Sequence, residues 1–134
     1  MSTLDIKTIS KFAQLEFKYG DPERGRTIFE GIVSNYPKRV DLWNVFLDME
    51  GSIGDVQMIR YAFLKTQNYS YNAAHDNKQH RQLFERAIKL KVSSRKIKFF
   101  FKRYLQFEKT MGTEQGVEHV KTAAKAYVER IAES

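Results

Sequence analysis

A pattern repeated along the chain constrains its fold more than any other feature. Three segments place aromatic and aliphatic residues at helical spacing before a glutamate, and a glycine follows each glutamate four residues later. The glutamates are Glu16, Glu50 and Glu108, and the first two are 34 residues apart. This is the period of stacked helical hairpins, each of which buries too little apolar surface to be stable alone. The repeat therefore predicts a core that forms between neighbouring hairpins.

The expected fold is all-α, because the apolar periodicity is helical nearly throughout and no stretch shows sustained period-two alternation. We expect about three antiparallel, TPR-like hairpins stacked as a short right-handed solenoid in one domain, residues 1–134. Repeat 1 would span about 3–37, and repeat 3 about 94–132. Repeat 2 would span about 39–91 and contain an insertion at about 55–76.

The repeat also assigns structural positions, since residues in register should occupy equivalent places. The second helices of two hairpins match as well, through "RTIFEGIV" and "RQLFERAI". The expected structural positions are Phe12, Glu16, Phe29, Trp43, Phe46, Glu50, Phe84, Phe101, Tyr104, Phe107 and Glu108. The recurrence of the glutamates favours structural partners over general acids, and Arg26 or Arg81 on the adjoining helix would supply them. This hypothesis predicts energetic coupling between Glu50 and Arg81.

Repeat 2 is longer than the pattern requires. We expect its first helix to end near Gly51 or Gly54, and two later segments then compete for the second helix. The segment around Phe63 has the right spacing, but 78–90 carries the fuller "FERAI" match and is favoured. The surplus residues would be an extended helix and loop, or an artefact of how the gene was translated.

Positive charge is concentrated in one part of the chain. The formal net charge is +7, and the window from Arg86 to Arg103 holds eight basic residues and no acidic one. Such a window can attract a polyanion or an acidic protein surface, or it can be merely a solvated helix face. The candidate contact residues for RNA or an acidic partner are Lys89, Lys91, Arg95, Lys96, Lys98, Phe99, Lys102 and Arg103.

Three consecutive phenylalanines lie inside this basic window. Phe101 is in register with Trp43 and is expected in the core. Phe100 lies beside Tyr104 and Phe107 on a helix, and the repeat does not assign its environment. Phe99 points away from them. Packing against a neighbouring hairpin is favoured for Phe99, and an exposed stacking ring is the alternative.

Several functional classes lack support in the sequence. The chain has no cysteine, which suits a reducing compartment and removes thiolate zinc sites. Its three histidines have no ligand spacing, and phosphate-binding glycine motifs and HExxH are missing. No apolar run approaches the ~20 residues of a membrane-spanning helix, and the N-terminus does not read as a secretory signal. We therefore expect a non-enzymatic protein without cofactor, metal or small-molecule substrate.

A glutamate-ended aromatic helix followed by an "FERA"-type helix resembles the HAT (half-a-TPR) repeat of RNA-processing proteins. The strings "YPKRVDLWNV" and "KFFFKRYLQFEK" are more specific. They resemble the C-terminal repeat domain of the ribosomal RNA-processing protein 5 family, called programmed cell death protein 11 in animals. The resemblance covers most of the chain outside 55–76. It does not include the S1-type RNA-binding domains of that family, so the chain would be a fragment or a separately encoded piece.

The resemblance implies a nuclear, nucleolar module that scaffolds pre-ribosomal RNA processing, small-subunit processome assembly and 18S rRNA maturation. Its implied partners are pre-ribosomal RNA and processome proteins. A scaffold of a pre-mRNA splicing or 3′-end processing complex is one alternative, and a generic adaptor for acidic proteins is another. The sequence contains no RNP1 string or GXXG loop, which favours protein scaffolding, whereas the charge favours RNA contact. The oligomeric state is not predicted.

Overall fold

The computed structural model describes residues 5–66 and 78–133, which form six α-helices and contain no strand. The helices are α1 (Ile6–Tyr19), α2 (Pro22–Asn35), α3 (Val40–Thr66), α4 (Lys78–Ala87), α5 (Ser94–Met111) and α6 (Glu114–Glu133). The prediction of an all-α fold is therefore confirmed for the described part of the chain.

Local sequence sets where these helices begin. The side chains of Asp5, Asp21 and Ser93 each accept a hydrogen bond from a backbone N–H of the helix that follows. Pro22 occupies the first turn of α2, where its missing N–H costs nothing. The Thr113 hydroxyl oxygen accepts from the backbone N–H of Gly116, 3.0 Å away, at the start of α6. These caps satisfy backbone donors that would otherwise be unpaired at the helix ends.

Helix α3 corrects one expectation, because it continues past Gly51 and Gly54 to Thr66. A glycine in a helix costs about 1 kcal/mol relative to alanine, which alone does not stop a helix. After Gly20, by contrast, the chain breaks at Asp21–Pro22, since a proline disfavours helical geometry in the residue before it. No proline follows Gly54, so the helix continues into the proposed insertion. The rest of the insertion, 67–76, lies outside the described residues.

The chain divides into two compact units, residues 1–76 and 77–134. In the first unit α1, α2 and α3 pack on one another. Phe29 of α2 lies at the centre, with its ring centroid 5.9 Å from that of Phe17 and 5.1 Å from that of Phe46. Trp43 is buried, and its indole N–H donates to the carbonyl oxygen of Pro37 at 2.9 Å. The core of this unit therefore lies between helices that are consecutive in sequence.

In the second unit α5 packs on both α4 and α6. The ring of Phe84 on α4 stacks on Tyr104 of α5 with centroids 5.0 Å apart and an interplanar angle of 1°. Phe107 lies 5.4 Å from Phe84, and Phe101 contacts Tyr127 of α6 at 5.7 Å. The segment favoured for the second helix of repeat 2 thus provides the helix that faces α5.

Most of the expected structural positions are buried. They are Phe29, Trp43, Phe46, Glu50, Phe84, Phe101, Tyr104, Phe107 and Glu108. Phe12 and Glu16 are the two exceptions, because Phe12 is 53% exposed and the side chain of Glu16 is 16% exposed. Leu15, on the same helix, is 49% exposed. The equivalent residues in α3 and α5 are covered by a phenylalanine from the preceding helix. Within residues 5–66 no helix precedes α1, so Phe12, although in register with Phe46 and Tyr104, is not covered as they are.

Candidate nucleic-acid interface

The exposed face of α5 carries a line of positive charge. Arg95, Lys98, Lys102 and Lys109 follow one another at intervals of three, four and seven residues, which places them on one face of an α-helix. All four are exposed. The opposite face carries the buried side chains Ile97, Phe100, Phe101, Tyr104, Phe107 and Glu108. We call these four cations the basic stripe, and its position follows from the amphipathic pattern of α5.

The other predicted contact residues lie beside the basic stripe or away from it. Lys96 is exposed and Arg103 is partly buried, and helical geometry places both on one flank of α5. Lys89 and Lys91 are exposed and follow the end of α4. The Nζ of Lys89 lies 3.9 Å from Oε1 of Glu85. The structure therefore brings Arg95, Lys98 and Lys102 onto one helix face, with Lys96 and Arg103 on its flank and Lys89 and Lys91 on a different segment.

Phe99 lies on the same face as the basic stripe, and its side chain is 50% exposed. Packing against a neighbouring hairpin, the favoured expectation, would have buried this ring. Helical spacing explains the outcome, because Phe99 lies one turn from Arg95 and from Lys102. Proteins that bind single-stranded nucleic acid combine aromatic rings, on which bases stack, with cations that contact phosphates, and this face carries both types of residue.

Two cations of this surface are missing from the sequence-based set. Lys109 extends the basic stripe and could have been found from its seven-residue spacing after Lys102. Lys121 of α6 joins Lys98 and Lys102 at a groove between α5 and α6, and only the packing of the two helices shows this. The groove is otherwise lined by Phe101, Leu105, Val120, Ala124, Tyr127 and Val128. A mainly apolar groove with lysines at its border suits an amphipathic helix that carries acidic residues.

A buried ion pair fixes the orientation of α5. Arg81 of α4 donates to both carboxylate oxygens of Glu108, with Nε–Oε2 and Nη2–Oε1 distances of 2.8 and 3.0 Å. The side chain of Glu108 is 1% exposed. Glycine is required next to it, because a methyl group at Gly112 or Gly116 would overlap the Glu108 carboxyl group. Gly112 has a negative φ of −109°, so a left-handed backbone conformation is not the reason for glycine at this position. The glycine that recurs after the glutamate is explained here by the space that the carboxylate needs.

The first unit repeats this arrangement. Arg26 of α2 donates to Glu50 of α3 at 2.6 and 2.8 Å, and the side chain of Glu50 is 4% exposed. Glu50 and Glu108 therefore each pair with an arginine of the helix immediately before their own. The expected Glu50–Arg81 pairing was wrong, because the structure pairs Arg81 with Glu108 instead.

A second polar cluster joins α4, α5 and α6. The hydroxyl of Tyr104 donates to Oε2 of Glu85 at 2.6 Å, and Nε2 of His119 lies 2.9 Å from the same oxygen. Burial would raise the pKa of Glu85, but these contacts from Tyr104 and His119 hold it below the ordinary value. Burial, and then the hydrogen bond to Glu85, raise the pKa of Tyr104 well above its ordinary value. Tyr104 is fully buried, so the cluster serves to bind three helices together.

His80 of α4 lies between two aromatic rings, with its centroid 4.9 Å from that of Phe84 and 4.4 Å from that of Phe107. Its Nε2 is buried without a hydrogen-bond partner. Burial, followed by the charges of Arg103 and Arg81, lowers the pKa of His80 to about 4. The imidazole is therefore neutral at physiological pH and acts as an aromatic core residue.

The described ranges lack two further kinds of feature. No group of three or more His, Asp or Glu side chains there is placed to hold a metal ion. Among the described helices, none combines the length and apolar character needed to cross a bilayer.

Similar proteins come from fungi, plants and animals. The chain is 47% identical over 123 residues to "rRNA biogenesis protein rrp5" of Schizosaccharomyces pombe, which covers 92% of this chain and 6% of that protein. It is 43% identical over 122 residues to "rRNA biogenesis protein RRP5" of Arabidopsis thaliana, covering 91% of this chain and 5% of that protein. It is also 43% identical over 124 residues to "Protein RRP5 homolog" of Homo sapiens, covering 92% and 6%. The chain thus spans only a small part of the length of these relatives.

The family model of the PRP39 N-terminal HAT repeat matches residues 6–129, which includes all six helices for most of their length. The two units contain Arg–Glu pairs and stacked rings at equivalent positions, as expected for a repeat. The chain belongs to the HAT repeat family.

Proposed function

We propose that this chain is a non-enzymatic module of ribosome biogenesis that takes part in pre-ribosomal RNA processing. The observation that carries the proposal is its 47% identity, over 92% of its length, to a protein named for rRNA biogenesis. Similar identities to plant and mammalian proteins with RRP5 names support the same role. The module would correspond to the C-terminal repeat domain of such proteins and act in the nucleolus. There it would support small-subunit processome assembly and 18S rRNA maturation.

The basic stripe supports a direct contribution to RNA binding. Arg95, Lys98 and Lys102 are exposed on one helix face with Phe99 among them. The phosphate backbone attracts such cations irrespective of base sequence, and a ring can stack on any base. We propose that these residues add affinity for pre-ribosomal RNA without selecting its sequence.

The groove between α5 and α6 supports the scaffold part of the proposal. Its apolar floor includes Phe101 and Tyr127, and Lys98, Lys102 and Lys121 border it. A processome protein that presents an acidic amphipathic helix would bury apolar surface there and pair its carboxylates with these lysines. RNA and protein contacts would then share Lys98 and Lys102 on one surface.

RNA binding is tested by fluorescence anisotropy with a labelled single-stranded RNA over a range of salt concentrations. The test variant changes Arg95, Lys98 and Lys102 to glutamine. A matched control removes three exposed cations from the first unit, Lys7, Lys18 and Lys38, by the same change. The two variants have equal net charge, so they separate a local site from general attraction.

We expect the first variant to bind more weakly and to lose about 2 units from the slope of log affinity against log salt, since each phosphate contact contributes about 0.7. The control should keep most of the slope. Equal losses in the two variants would contradict a local RNA site. A further variant, Phe99→Ala, should lower affinity without changing the slope, because a stacked ring releases no counterion.

The ribosomal role is tested by purifying the tagged chain from nuclear extract and identifying associated proteins and RNA. Pre-ribosomal RNA with processome proteins is the expected result. Recovery of a splicing or 3′-end processing complex would overturn the proposal and favour the alternative role.

A further inference from the structure

Two consecutive serines lie where α4 connects to α5. The connection is non-helical, and α5 begins at Ser94. Ser93 and Ser94 are both exposed, and so are Arg95 and Lys96 in the first turn of α5. The first buried side chain of α5 is that of Ile97. An enzyme can therefore reach this segment without disturbing the core.

The two serines have different roles in the helix. The Oγ of Ser93 accepts a hydrogen bond from the backbone N–H of Lys96 at 3.4 Å, so Ser93 provides the cap of α5. Ser94 is the first residue of the helix and is not the capping residue. The terminal turn of a helix opens at a small cost in free energy, because its first backbone N–H groups have no partner within the helix. Ser94 can therefore be presented to an enzyme in an extended form while the remainder of α5 stays folded.

The charges around Ser94 form a pattern that basophilic protein kinases recognise. Lys91 precedes Ser94 by three residues, Lys89 precedes it by five, and Lys96 follows it by two. All three cations are exposed. Kinases select their substrates partly by the pattern of charge beside the acceptor hydroxyl, and an acidic kinase surface pairs with such cations. Ser93 fits less well, because the position three residues before it is apolar.

We propose that Ser94 is a phosphorylation site for a basophilic serine kinase, and that its phosphate weakens the binding of polyanions and acidic partners to α5. In the reaction, the Oγ of Ser94 forms a bond to the γ-phosphorus of ATP as the bond from that phosphorus to ADP breaks. The hydroxyl proton passes to the catalytic base of the kinase. The location of the site is independent of the proposed function, whereas the effect of the phosphate rests on it.

The phosphate lies at the start of the basic stripe and carries about −1.5 to −2 charges at pH 7. Lys98 follows Ser94 by one helical turn, which is the favourable spacing and order for an acidic group and a lysine. Lys98 belongs to the basic stripe and also borders the groove between α5 and α6. The phosphate therefore offsets charge that both proposed contacts use. It does so without unfolding α5, because a helix N-terminus favours a negative charge.

The first test maps the site. The full chain is incubated with Mg²⁺, ATP and the catalytic domain of protein kinase C, and the modified residue is identified by tandem mass spectrometry. We expect the phosphate on Ser94, with a rate of incorporation about tenfold lower in Ser94→Ala and about fivefold lower in Lys91→Gln. Ser93→Ala should be modified at least as fast as the parent chain. Lys7→Gln, in the first unit, is the charge control and should not change the rate. Incorporation mainly at Ser93, or no incorporation, overturns the site.

The second test measures the effect of the phosphate. Phosphoserine is introduced at position 94 during translation by amber suppression, and a matched control carries phosphoserine in place of Thr8. Thr8 is exposed in the first turn of α1, and Lys11 follows it by three residues. Both proteins therefore gain the same charge at the start of a helix. Binding of labelled single-stranded RNA is measured by fluorescence anisotropy over a range of salt concentrations.

We expect phosphoserine at position 94 to lower RNA affinity about fivefold and to reduce the slope of log affinity against log salt by about 1, since it offsets cations that contribute about 0.7 each. The control should lower affinity less than about twofold. Unchanged affinity, or an equal loss in the two proteins, overturns the effect of the phosphate. An unmodified chain that does not bind RNA would contradict the proposed function and overturn the effect with it, and the kinase assay would still decide the site.

Discussion

Arg81 and Glu108 form a two-bond ion pair in which the carboxylate is almost fully buried, and Arg26 and Glu50 repeat it. A buried pair of this kind contributes little relative to an apolar contact. It becomes costly when one partner is removed, because the other is left as an uncompensated buried charge. We therefore expect these pairs to contribute more to the specificity of helix pairing than to stability.

The first prediction concerns these pairs. Arg81→Gln should lower the free energy of unfolding by about 3 kcal/mol, since it leaves Glu108 buried without a counter-charge. Arg24→Gln is the control and should change it by less than about 0.5 kcal/mol, because Arg24 is 65% exposed and 3.8 Å from Glu16. Urea denaturation followed by circular dichroism measures both values.

A double-mutant cycle then assigns the pairing. Arg81 with Glu108, and Arg26 with Glu50, should each show a coupling energy above about 1 kcal/mol, because each pair shares two hydrogen bonds. Arg81 with Glu50 should be additive within about 0.5 kcal/mol, since these two residues have no common partner among their described hydrogen bonds. Coupling in the last pair would contradict the arrangement.

The second prediction concerns pH. The pKa of His80 is lowered from 6.5 in the unfolded chain to about 4 in the folded chain, through burial and the charges of Arg103 and Arg81. The folded state thus disfavours the protonated ring. The contribution of neutral His80 to the free energy of unfolding is therefore fully present above pH 6.5 and decreases as the pH falls toward 4. The full loss is on the order of 3 kcal/mol.

Two measurements check this behaviour. A titration of the His80 ring followed by NMR should give a midpoint near pH 4. His80→Phe keeps an aromatic ring between Phe84 and Phe107 and removes the titrating group. Its stability should therefore decrease less than that of the parent chain between pH 6.5 and pH 4.5. Parallel decreases in the two proteins would show that His80 is not responsible.

The third prediction compares two glycines. Gly112→Ala should be destabilising by about 1–3 kcal/mol, because the added methyl group displaces the Glu108 carboxylate from its place beside Arg81. Gly31→Ala should instead stabilise by about 0.5–1 kcal/mol, since Gly31 lies inside α2 with open space around it. Thermal unfolding of the two variants distinguishes these opposite signs. A stabilising Gly112→Ala would contradict the packing of Glu108.

The fourth prediction concerns the consecutive phenylalanines of α5. Phe100→Ala should lower stability by about 3–5 kcal/mol, because Phe100 is fully buried. Phe99→Ala should lower it by less than about 1 kcal/mol, because half of that side chain is already in water. Denaturation midpoints of the two variants test the difference. Similar losses would show that Phe99 is a core residue.

Much of this fold could be predicted from the sequence repeat. The burial of Phe46, Tyr104 and Glu108 follows from register, since equivalent positions meet equivalent neighbours. The exposure of Phe12 could not be read in this way, because register fixes which face a residue occupies and not whether another helix covers it. The length of α3 was also missed, since glycine lowers helix propensity without breaking the backbone hydrogen bonds.

The candidate surface was likewise predictable from the sequence only in part. The basic stripe of α5 is a property of one helix, and the spacing of Lys98, Lys102 and Lys109 is sufficient to define it. The groove that adds Lys121 depends on how α6 lies against α5, which no spacing within one segment specifies.

The sequence by itself determined the helical periodicity, the repeat and the side of α5 that faces water, because these depend on residues within a turn or two of one another. Only the tertiary structure decided that Arg81 binds Glu108, that Arg26 binds Glu50, and that Phe12 is left uncovered. Those outcomes depend on contacts between helices, and a repeat offers the same chemistry at several positions, so only packing selects among the possible partners.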